Sequence, residues 1–294
     1  MSARLGLGTV QFGLDYGIAR SGDRPSDADI SEILSAAVSD GCAMIDTAAA
    51  YGDSEAALGR AMPAGFETPI VTKCPVPPGG VSPEDAYRFV MESFRASIAR
   101  LGRKTIWGYL AHDAKLVTGP CGEGARRAFR ELRDAGTVRK VGVSLYDSEE
   151  ISEVLAVFDP EIVQLPVSIL DQRLVKGGEL RRLRERGVEV HARSALLQGV
   201  IGLDPSALPS RLMPLAPRLE LLRKRARAAG SNPIATALRF LRGCLDIDVV
   251  IIGVQTIAQW TECARAFRDG PIVDTTDLAC DDPNLIDPRR WSGS

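Results

Sequence analysis

The stretch Ala-Met-Ile-Asp-Thr-Ala-Ala-Ala-Tyr, residues 43–51, begins with an apolar run and passes directly into an acid and then a phenol. Two later runs end in the same way: Pro69–Val71 leads to Lys73, and Ile106–Leu110 leads to His112. A parallel barrel carries its chemistry at the carboxyl ends of successive strands. An acid, a phenol, an ammonium and an imidazole at such ends therefore favour a barrel with an acid–base site.

The rest of the chain repeats this alternation of short apolar runs with amphipathic stretches, which is typical of βα units and a parallel sheet. Eight strands close a barrel, and a (β/α)8 barrel needs roughly 250 residues. We therefore expect residues 1–294 to form a single α/β domain with the TIM-barrel fold. The candidate strands are Leu5–Val10, Ala43–Asp46, Ile70–Lys73, Ile106–His112, Arg139–Ser144, Ile162–Pro166, Val188–Ala192 and Val249–Gly253.

Signals for helix ends separate these strands. Residues 26–29, Ser-Asp-Ala-Asp, match a capping box, and residues 82–85, Ser-Pro-Glu-Asp, combine an N-cap with a first-turn proline. At four positions a glycine follows a helical segment and precedes a strand, which is the usual place for a glycine that ends a helix. These glycines are Gly41, Gly102, Gly136 and Gly187.

Two segments lack a clear helix or strand pattern. Gly199–Pro217 is proline-rich and predicts a long loop after the seventh strand. Asp269–Ser294 is an acidic tail rich in Asp and Pro. Because long loops and tails often cover the site of a barrel enzyme, we expect both segments near the barrel mouth, the end at which the strands terminate.

Composition excludes several classes of function. The formal net charge is -2, and no long basic run is present, so nucleic acid and anionic membrane surfaces are poor partners. The six cysteines are scattered without a C-x-x-C pair, and only two histidines are present, which argues against a disulfide framework or a metal site. The start of the chain lacks a signal-peptide pattern, and Val249–Val254 is too short to span a bilayer, so we expect a cytoplasmic protein.

Polar residues or glycines recur at, or just beyond, the ends of strands two to eight. Any one of them can be an ordinary residue at the start of a loop, but together they favour a site at the barrel mouth. They are Asp46, Lys73, His112, Ser144, Gln164, Ser194 and Gly253.

These residue types suit proton transfer to a carbonyl oxygen. Tyr51 is the candidate proton donor; its free pKa near 10 is high, and we expect the Lys73 ammonium to lower it. Asp46 can hold Lys73 charged, and His112 can act as a neutral hydrogen-bond donor or as a base. His191 has no comparable partners and is expected to be a packed histidine.

A reduction at this site would need a cofactor, because none of these side chains can supply a hydride. Residues 6–11, Gly-Leu-Gly-Thr-Val-Gln, begin like the dinucleotide fingerprint G-x-G-x-x-G but end in Gln11. The residues alone therefore predict a barrel enzyme with acid–base groups and do not name a nicotinamide cofactor.

The chain resembles the aldo-keto reductase family over nearly its whole length. Residues 46–52, Asp-Thr-Ala-Ala-Ala-Tyr-Gly, are similar to the family signature D-T-A-x-x-Y-G, and Lys73 and His112 follow at fitting distances. The resemblance implies a (β/α)8 barrel that binds NADP(H) without a Rossmann domain. It also implies hydride transfer to a small aldehyde or ketone, possibly sugar-derived, in a monomeric protein, with Asp46, Tyr51, Lys73 and His112 as the catalytic residues.

The same resemblance implies a set of cofactor-binding residues. Ser144 and Gln164 match positions that hold the nicotinamide carboxamide, and Arg193 stands where a tyrosine usually stacks on the nicotinamide. Leu145 stands where many members have Asn, and neither Gly253 nor Gln259 supplies the cation that some members place against the 2′-phosphate. The full set is Gly8, Thr9, Val10, Asp46, Ser144, Gln164, Arg193, Ser194, Leu196, Gly199, Gly253, Val254, Gln255, Gln259 and Glu262.

Two other functions fit the same residues. Lys73 at a strand end also suits a Schiff-base lyase or aldolase, although that chemistry explains Asp46 and Tyr51 less well. A non-catalytic barrel that binds NADP(H) and responds to its redox state is the third hypothesis.

Overall fold

The computed structural model describes residues 2–18, 22–63 and 65–291. The expected domain also contains Met1 and residues 292–294 at its two ends, and these lie outside the described residues. Eight parallel strands form one closed barrel in chain order, which confirms the predicted fold. The strands are β1 (Arg4–Gly8), β2 (Ile45–Asp46), β3 (Ile70–Cys74), β4 (Ile106–Ala111), β5 (Val138–Ser144), β6 (Ile162–Pro166), β7 (Glu189–Arg193) and β8 (Val249–Gly253).

Helices surround the barrel and connect its strands. They are α1 (Val10–Gly13), α2 (Asp27–Ser39), α3 (Ser54–Ala61), α4 (Pro83–Leu101), α5 (Lys115–Thr118), α6 (Gly122–Asp134), α7 (Ser148–Val157), α8 (Arg173–Lys176), α9 (Glu179–Glu185), α10 (Ala216–Ala228), α11 (Pro233–Gly243), α12 (Ile257–Arg268) and α13 (Pro283–Ile286). Within the described residues, no helix combines the length and the apolar character needed to cross a membrane.

The predicted helix ends are confirmed. Ser26 and Asp29 form a reciprocal capping box at the start of α2. Ser82 caps α4, whose first residue is Pro83. Gly102 ends α4 with a φ of 64°, a left-handed conformation that glycine adopts without a Cβ clash. The other three predicted helix-ending glycines also have positive φ.

Alternation along the strands positions the polar residues. Met44, Val71, Leu110 and Ile162 belong to a separate apolar cluster, whereas their neighbours on the same strands belong to the main core with the helices. Successive side chains of a barrel strand point inward and outward in turn, so this cluster fills the barrel interior. Two residues further along these strands, the inward side chains are polar. They form one polar layer between the apolar cluster and the barrel mouth, which consists of Asp46, Lys73, His112 and Gln164.

The opposite end of the barrel interior holds a polar network. Glu189 accepts a hydrogen bond of 2.6 Å from Lys140 and lies 2.8 Å from Nε2 of His191. His191 is fully buried in this network. The structure therefore agrees with the prediction that His191 is a packed histidine.

The connection after β7 is long, as expected, and more regular than its proline content suggests. It contains the 3-10 helices Leu197–Gly202, Pro205–Ala207 and Ser210–Leu215 before α10 begins. A second apolar core joins this connection to the C-terminal tail, with Leu212 and Trp291 among its buried residues. The tail brings Arg289 to the cavity at the barrel mouth, which agrees with its predicted location.

Candidate active site

A buried ion pair lies at the centre of the polar layer. The Nζ atom of Lys73 is 2.8 Å from each carboxylate oxygen of Asp46 and 2.8 Å from the carbonyl oxygen of Thr47. Lys73 is 1 % exposed and Asp46 is 4 % exposed. Since an ammonium has three N–H donors, these contacts use the full capacity of Lys73.

Gln164 on β6 completes this layer. Its Nε2 donates a hydrogen bond of 2.6 Å to Asp46, while its Oε1 is buried without a hydrogen-bond partner among the described residues. The sequence predicted Gln164 as a contact to the cofactor carboxamide. The structure directs its NH2 group to Asp46 and leaves its carbonyl oxygen as an acceptor for that predicted contact.

Two glycines allow Tyr51 to approach the barrel closely after β2. A Cβ on Gly13 would overlap the backbone oxygen of Tyr51, and a Cβ on Gly52 would press against Gly13. Gly52 also has a left-handed φ of 57°. Replacing either glycine would therefore displace Tyr51, which explains locally why glycine follows the tyrosine.

Tyr51 lies against two of the other predicted catalytic residues. Its ring meets His112 edge-on, with the ring centroids 5.6 Å apart. The Nζ atom of Lys73 is 4.9 Å from the Tyr51 ring centroid. The structure thus brings all four residues of the predicted catalytic set together.

The expected lowering of the Tyr51 pKa by Lys73 is wrong for this arrangement. Burial, followed by the charge of Asp46, raises the pKa of the Tyr51 phenol above its ordinary value. Burial also lowers the pKa of Lys73, against the opposing effect of Asp46. Lys73 directs its donors to Asp46 and Thr47, and the cation that lowers the pKa of Tyr51 is Arg193.

The charge state of His112 decides between its two predicted roles. Burial lowers the pKa of His112 to about 3, and the charges of Lys73 and Arg193 act in the same direction. Its imidazole is therefore neutral near pH 7. A neutral imidazole can donate a hydrogen bond to a carbonyl oxygen, and this favours the hydrogen-bond donor over the base.

A cavity of about 640 Å³ opens above these residues, within the usual size range of small-molecule sites. Its lining contains all the predicted site residues except Lys73 and Gln164, which lie in the layer beneath. The predicted residues in the lining are Gly8, Thr9, Val10, Asp46, Tyr51, His112, Ser144, Arg193, Ser194, Leu196, Gly199, Gly253, Val254, Gln255, Gln259 and Glu262.

Arg193 at the end of β7 is held by uncharged groups. Its Nε donates to the Ser144 hydroxyl at 3.2 Å, and its Nη2 donates to the Leu145 carbonyl at 3.0 Å. Its Cζ lies 3.9 Å from the ring centroid of Tyr146, and Cζ of Arg289 lies 3.2 Å from the same centroid. Two guanidinium groups this close to one centroid would overlap on one face, so they occupy opposite faces of Tyr146.

The segment after β7 has an unusual backbone where it borders the cavity. Ser194, Leu197 and Gln198 have φ values of 58°, 48° and 53°, and Gly199 has a φ of 90°. Positive φ in residues other than glycine is costly and concentrates at functional sites. This geometry supports the prediction that the segment forms part of a ligand site.

The segment after β8 uses Gln259 partly for structure. Thr256 caps α12 by accepting from the Gln259 N–H, and Oε1 of Gln259 accepts from the Gln255 N–H at 2.7 Å. Gln11 lies directly against Gly253, where an added Cβ would overlap its carboxamide. A larger side chain at position 253 would therefore have to displace Gln11.

Several cavity residues were not predicted from the sequence as site residues. Tyr146 lies two residues beyond the end of β5, a position that the rule of polar strand ends could have found. Gln11 and Tyr16 follow β1, and Gln198 lies immediately before the predicted loop, so each was close to a recognised signal. Arg289 reaches the cavity only because the tail folds back over the barrel, and no local pattern marks it.

The lining fits an extended polar cofactor. Oε1 of Gln11 faces no hydrogen-bond partner although it is buried at the cavity wall. Oε1 of Gln164 is a second unused acceptor in the layer beneath, and Ser144 adds a hydroxyl. Metal binding has no such support, since the described residues contain no group of three or more His, Cys, Asp or Glu side chains that could hold an ion.

Comparison with known proteins agrees with this architecture. The model of the aldo/keto reductase family matches residues 4–276. The chain belongs to the aldo-keto reductase family.

Two curated relatives and one solved structure illustrate the relationship. An aldo-keto reductase of Mycolicibacterium vanbaalenii is 30% identical over 191 residues, covering 62% of this chain and 63% of the relative. The NADH-specific methylglyoxal reductase of Escherichia coli is 30% identical over 221 residues, covering 68% of this chain and 65% of the relative. The chain thus matches slightly less than two thirds of each relative.

The solved structure of an aldo-keto reductase from Bacillus halodurans, in its holo form, superimposes with a TM-score of 0.76. It covers 98% of this chain and 95% of its own, at 21% sequence identity. At this identity the likeness establishes the shared fold.

Proposed function

We propose that this protein is an oxidoreductase that reduces an aldehyde or ketone to an alcohol with hydride from a nicotinamide dinucleotide. The observation that carries the proposal is the buried Asp46–Lys73 pair beneath Tyr51 and His112 at the floor of the cavity. General acid catalysis needs a positioned donor beside the reacting atom, and this arrangement supplies one.

Each of the four residues has a distinct task in the proposed reaction. The cofactor supplies the hydride that adds to the carbonyl carbon. Tyr51 transfers its phenolic proton to the carbonyl oxygen, giving the alcohol, and is reprotonated from solvent. Neutral His112 donates a hydrogen bond that orients the carbonyl, while the Asp46–Lys73 pair fixes the floor on which Tyr51 rests.

The proposed cofactor is NADPH, held by the residues that the family resemblance implies around the cavity. NADH is proposed as an accepted alternative, because the described lining after β8 consists of Gly253, Val254, Gln255, Gln259, Glu262 and Cys263, without Lys or Arg. A 2′-phosphate gains most from cationic donors. The name of the E. coli relative specifies NADH, which is consistent with the acceptance of NADH proposed for this chain.

Burial of Lys73 counts against the lyase alternative. A Schiff-base lysine must present a free amine to the substrate, but Lys73 lies below the cavity lining with its donors on Asp46 and Thr47. The regulatory alternative leaves the arrangement of Tyr51 and His112 unexplained. Borohydride trapping of carbonyl compounds on Lys73 would instead support the lyase.

The first test is fluorescence titration of the purified protein with NADPH and NADH, followed by turnover on a panel of aldehydes, ketones and sugars. We expect both dinucleotides to bind and carbonyl compounds to be reduced. Binding without turnover across the panel would favour the regulatory barrel, and binding of neither dinucleotide would contradict the proposal.

We also propose that residues 1–294 form one domain that acts as a monomer in the cytoplasm on a small carbonyl substrate. The single closed barrel supports the first part. Light scattering of the purified protein tests the monomer, and fractionation of the source cells tests the location.

A further inference from the structure

Arg193 carries a positive charge into the cavity without a carboxylate partner. None of the ion pairs among the described residues includes it, whereas Lys73 and Arg289 near the barrel mouth are both paired with carboxylates. Its two hydrogen bonds go to the Ser144 hydroxyl and the Leu145 carbonyl. A guanidinium has five N–H donors, so three of them have no acceptor among the described residues.

The unused donors face open space. Nη1 of Arg193 makes no hydrogen bond to the described residues, and it is not buried. Since Arg193 lines the cavity, Nη1 is accessible to a molecule bound there. Arg193 is therefore an open cationic donor in a partly enclosed site.

The orientation of the Arg193 guanidinium is fixed by the side chains that pack against it. Tyr146 covers one face of the Arg193 guanidinium, and Arg289 lies on the far face of Tyr146. Arg289 is itself held by Asp287 at 2.8 Å. This stack keeps the Arg193 fork in one position, which lowers the entropy lost when it binds an anion.

Arg193 also lies near the reacting groups. Its charge lowers the pKa of both Tyr51 and His112, so it is within electrostatic range of the atoms that would hold the carbonyl oxygen. An unpaired cation in a partly buried site costs desolvation free energy. Binding of an anion beside the carbonyl group would offset that cost.

We infer that the preferred substrates are carbonyl compounds with an anionic group, a carboxylate or a phosphate, that binds to the free N–H donors of Arg193. This inference rests on the proposed function and names its substrate class. Arg193 would be a specificity-determining residue, with Tyr146 and Arg289 as positioning residues. Hydride and proton transfer remain as proposed above.

Matched substrates test the charge requirement directly. In the carboxylate arm, 4-carboxybenzaldehyde is compared with its neutral methyl ester, and in the phosphate arm, glyceraldehyde 3-phosphate is compared with glyceraldehyde. We expect kcat/KM to favour the anionic member by about 10- to 100-fold in at least one arm, in line with a hydrogen-bonded charge pair. A preference in only one arm identifies which anion the site takes.

Variants connect the preference to Arg193. Arg193→Gln should remove most of the preference, and Arg193→Lys, which keeps the charge but loses the planar fork, should keep part of it. Arg127→Gln is the control, because Arg127 forms an exposed ion pair with Glu84 on the helical surface. The melting temperature and the dinucleotide dissociation constant are measured for every variant.

The outcomes separate this inference from the proposed function. Arg193→Gln could lower kcat/KM equally for both substrates of a pair, or weaken dinucleotide binding without changing the substrate preference. Either result would overturn the inference and assign Arg193 to the cofactor. Equal kcat/KM for charged and neutral members in the wild type would also overturn it. Failure of the wild type to reduce any member contradicts the proposed function itself.

Discussion

The Lys73 ammonium bridges both carboxylate oxygens of Asp46 at 2.8 Å in a layer that solvent hardly reaches. A buried charge that loses its partner is strongly destabilising. The pair therefore connects the stability of the barrel to the order of its proposed active site.

Asp46→Asn should lower the free energy of unfolding by about 3–5 kcal/mol, the usual cost of breaking a buried pair from one side. The pKa of Lys73 should fall further, because the charge of Asp46 opposes the lowering by burial. Urea denaturation measures the change. Asp134→Asn is the control, since Asp134 forms an exposed pair with Arg133 and should leave the midpoint nearly unchanged; an equally small effect at Asp46 would contradict the account.

His112 should make the protein sensitive to acid. Its pKa is about 3 in the folded protein against an ordinary value of 6.5, so between these values the unfolded state binds more protons. Stability is thus unaffected by His112 above about pH 6.5 and falls as the pH drops toward 3, by at most about 1.4 kcal/mol per pH unit. Replacing the imidazole with a group that does not titrate should reduce the dependence of the unfolding free energy on pH in this range.

His112→Gln tests that expectation. Urea titrations of the wild type and the variant at pH 7, 6, 5 and 4 give the contribution of His112 as the difference between the two curves, which cancels the shared titration of carboxylates such as Glu189. A difference that grows steadily below pH 6.5 fits a neutral buried imidazole. A constant difference would mean that His112 binds its proton equally in the folded and unfolded states, which would contradict this expectation.

Position 253 should control the preference between the two dinucleotides. Gly253 lies in the segment that the family resemblance assigns to the 2′-phosphate, but Gln11 fills the space beside it. Adding Gly253→Lys to Gln11→Ala should shift the ratio of dissociation constants toward NADPH by about tenfold, through a new charge-assisted hydrogen bond. Gly253→Gln in the same background is the neutral control, and an equal shift with Gln would show that charge is not the cause.

The sequence predicts much of this structure because its signals are local. Each apolar run ends in a polar residue, and β3 and β4 place Lys73 and His112 in one layer simply because side chains alternate along a strand. The helix ends at Ser26 and Gly102 follow equally local rules. The barrel and the proximity of Asp46, Tyr51, Lys73 and His112 were therefore predictable.

Other features depend on packing between distant segments and could not be predicted in this way. The stack of Arg193, Tyr146 and Arg289 requires the tail to return to the barrel mouth. The raised pKa of Tyr51 depends on burial and on the charge of Asp46. Spacing along the chain reveals which residues meet, but it does not reveal which donors remain unused.

The most direct test of the central proposal is the turnover number of Tyr51→Phe with a carbonyl substrate that the wild type reduces. The substitution removes only the phenolic oxygen and leaves the ring against His112. If Tyr51 is the proton donor, kcat should fall by about 10²- to 10⁴-fold, while the dissociation constant for NADPH stays the same. A variant that retains the wild-type kcat would contradict the assignment of Tyr51 and with it the proposed mechanism.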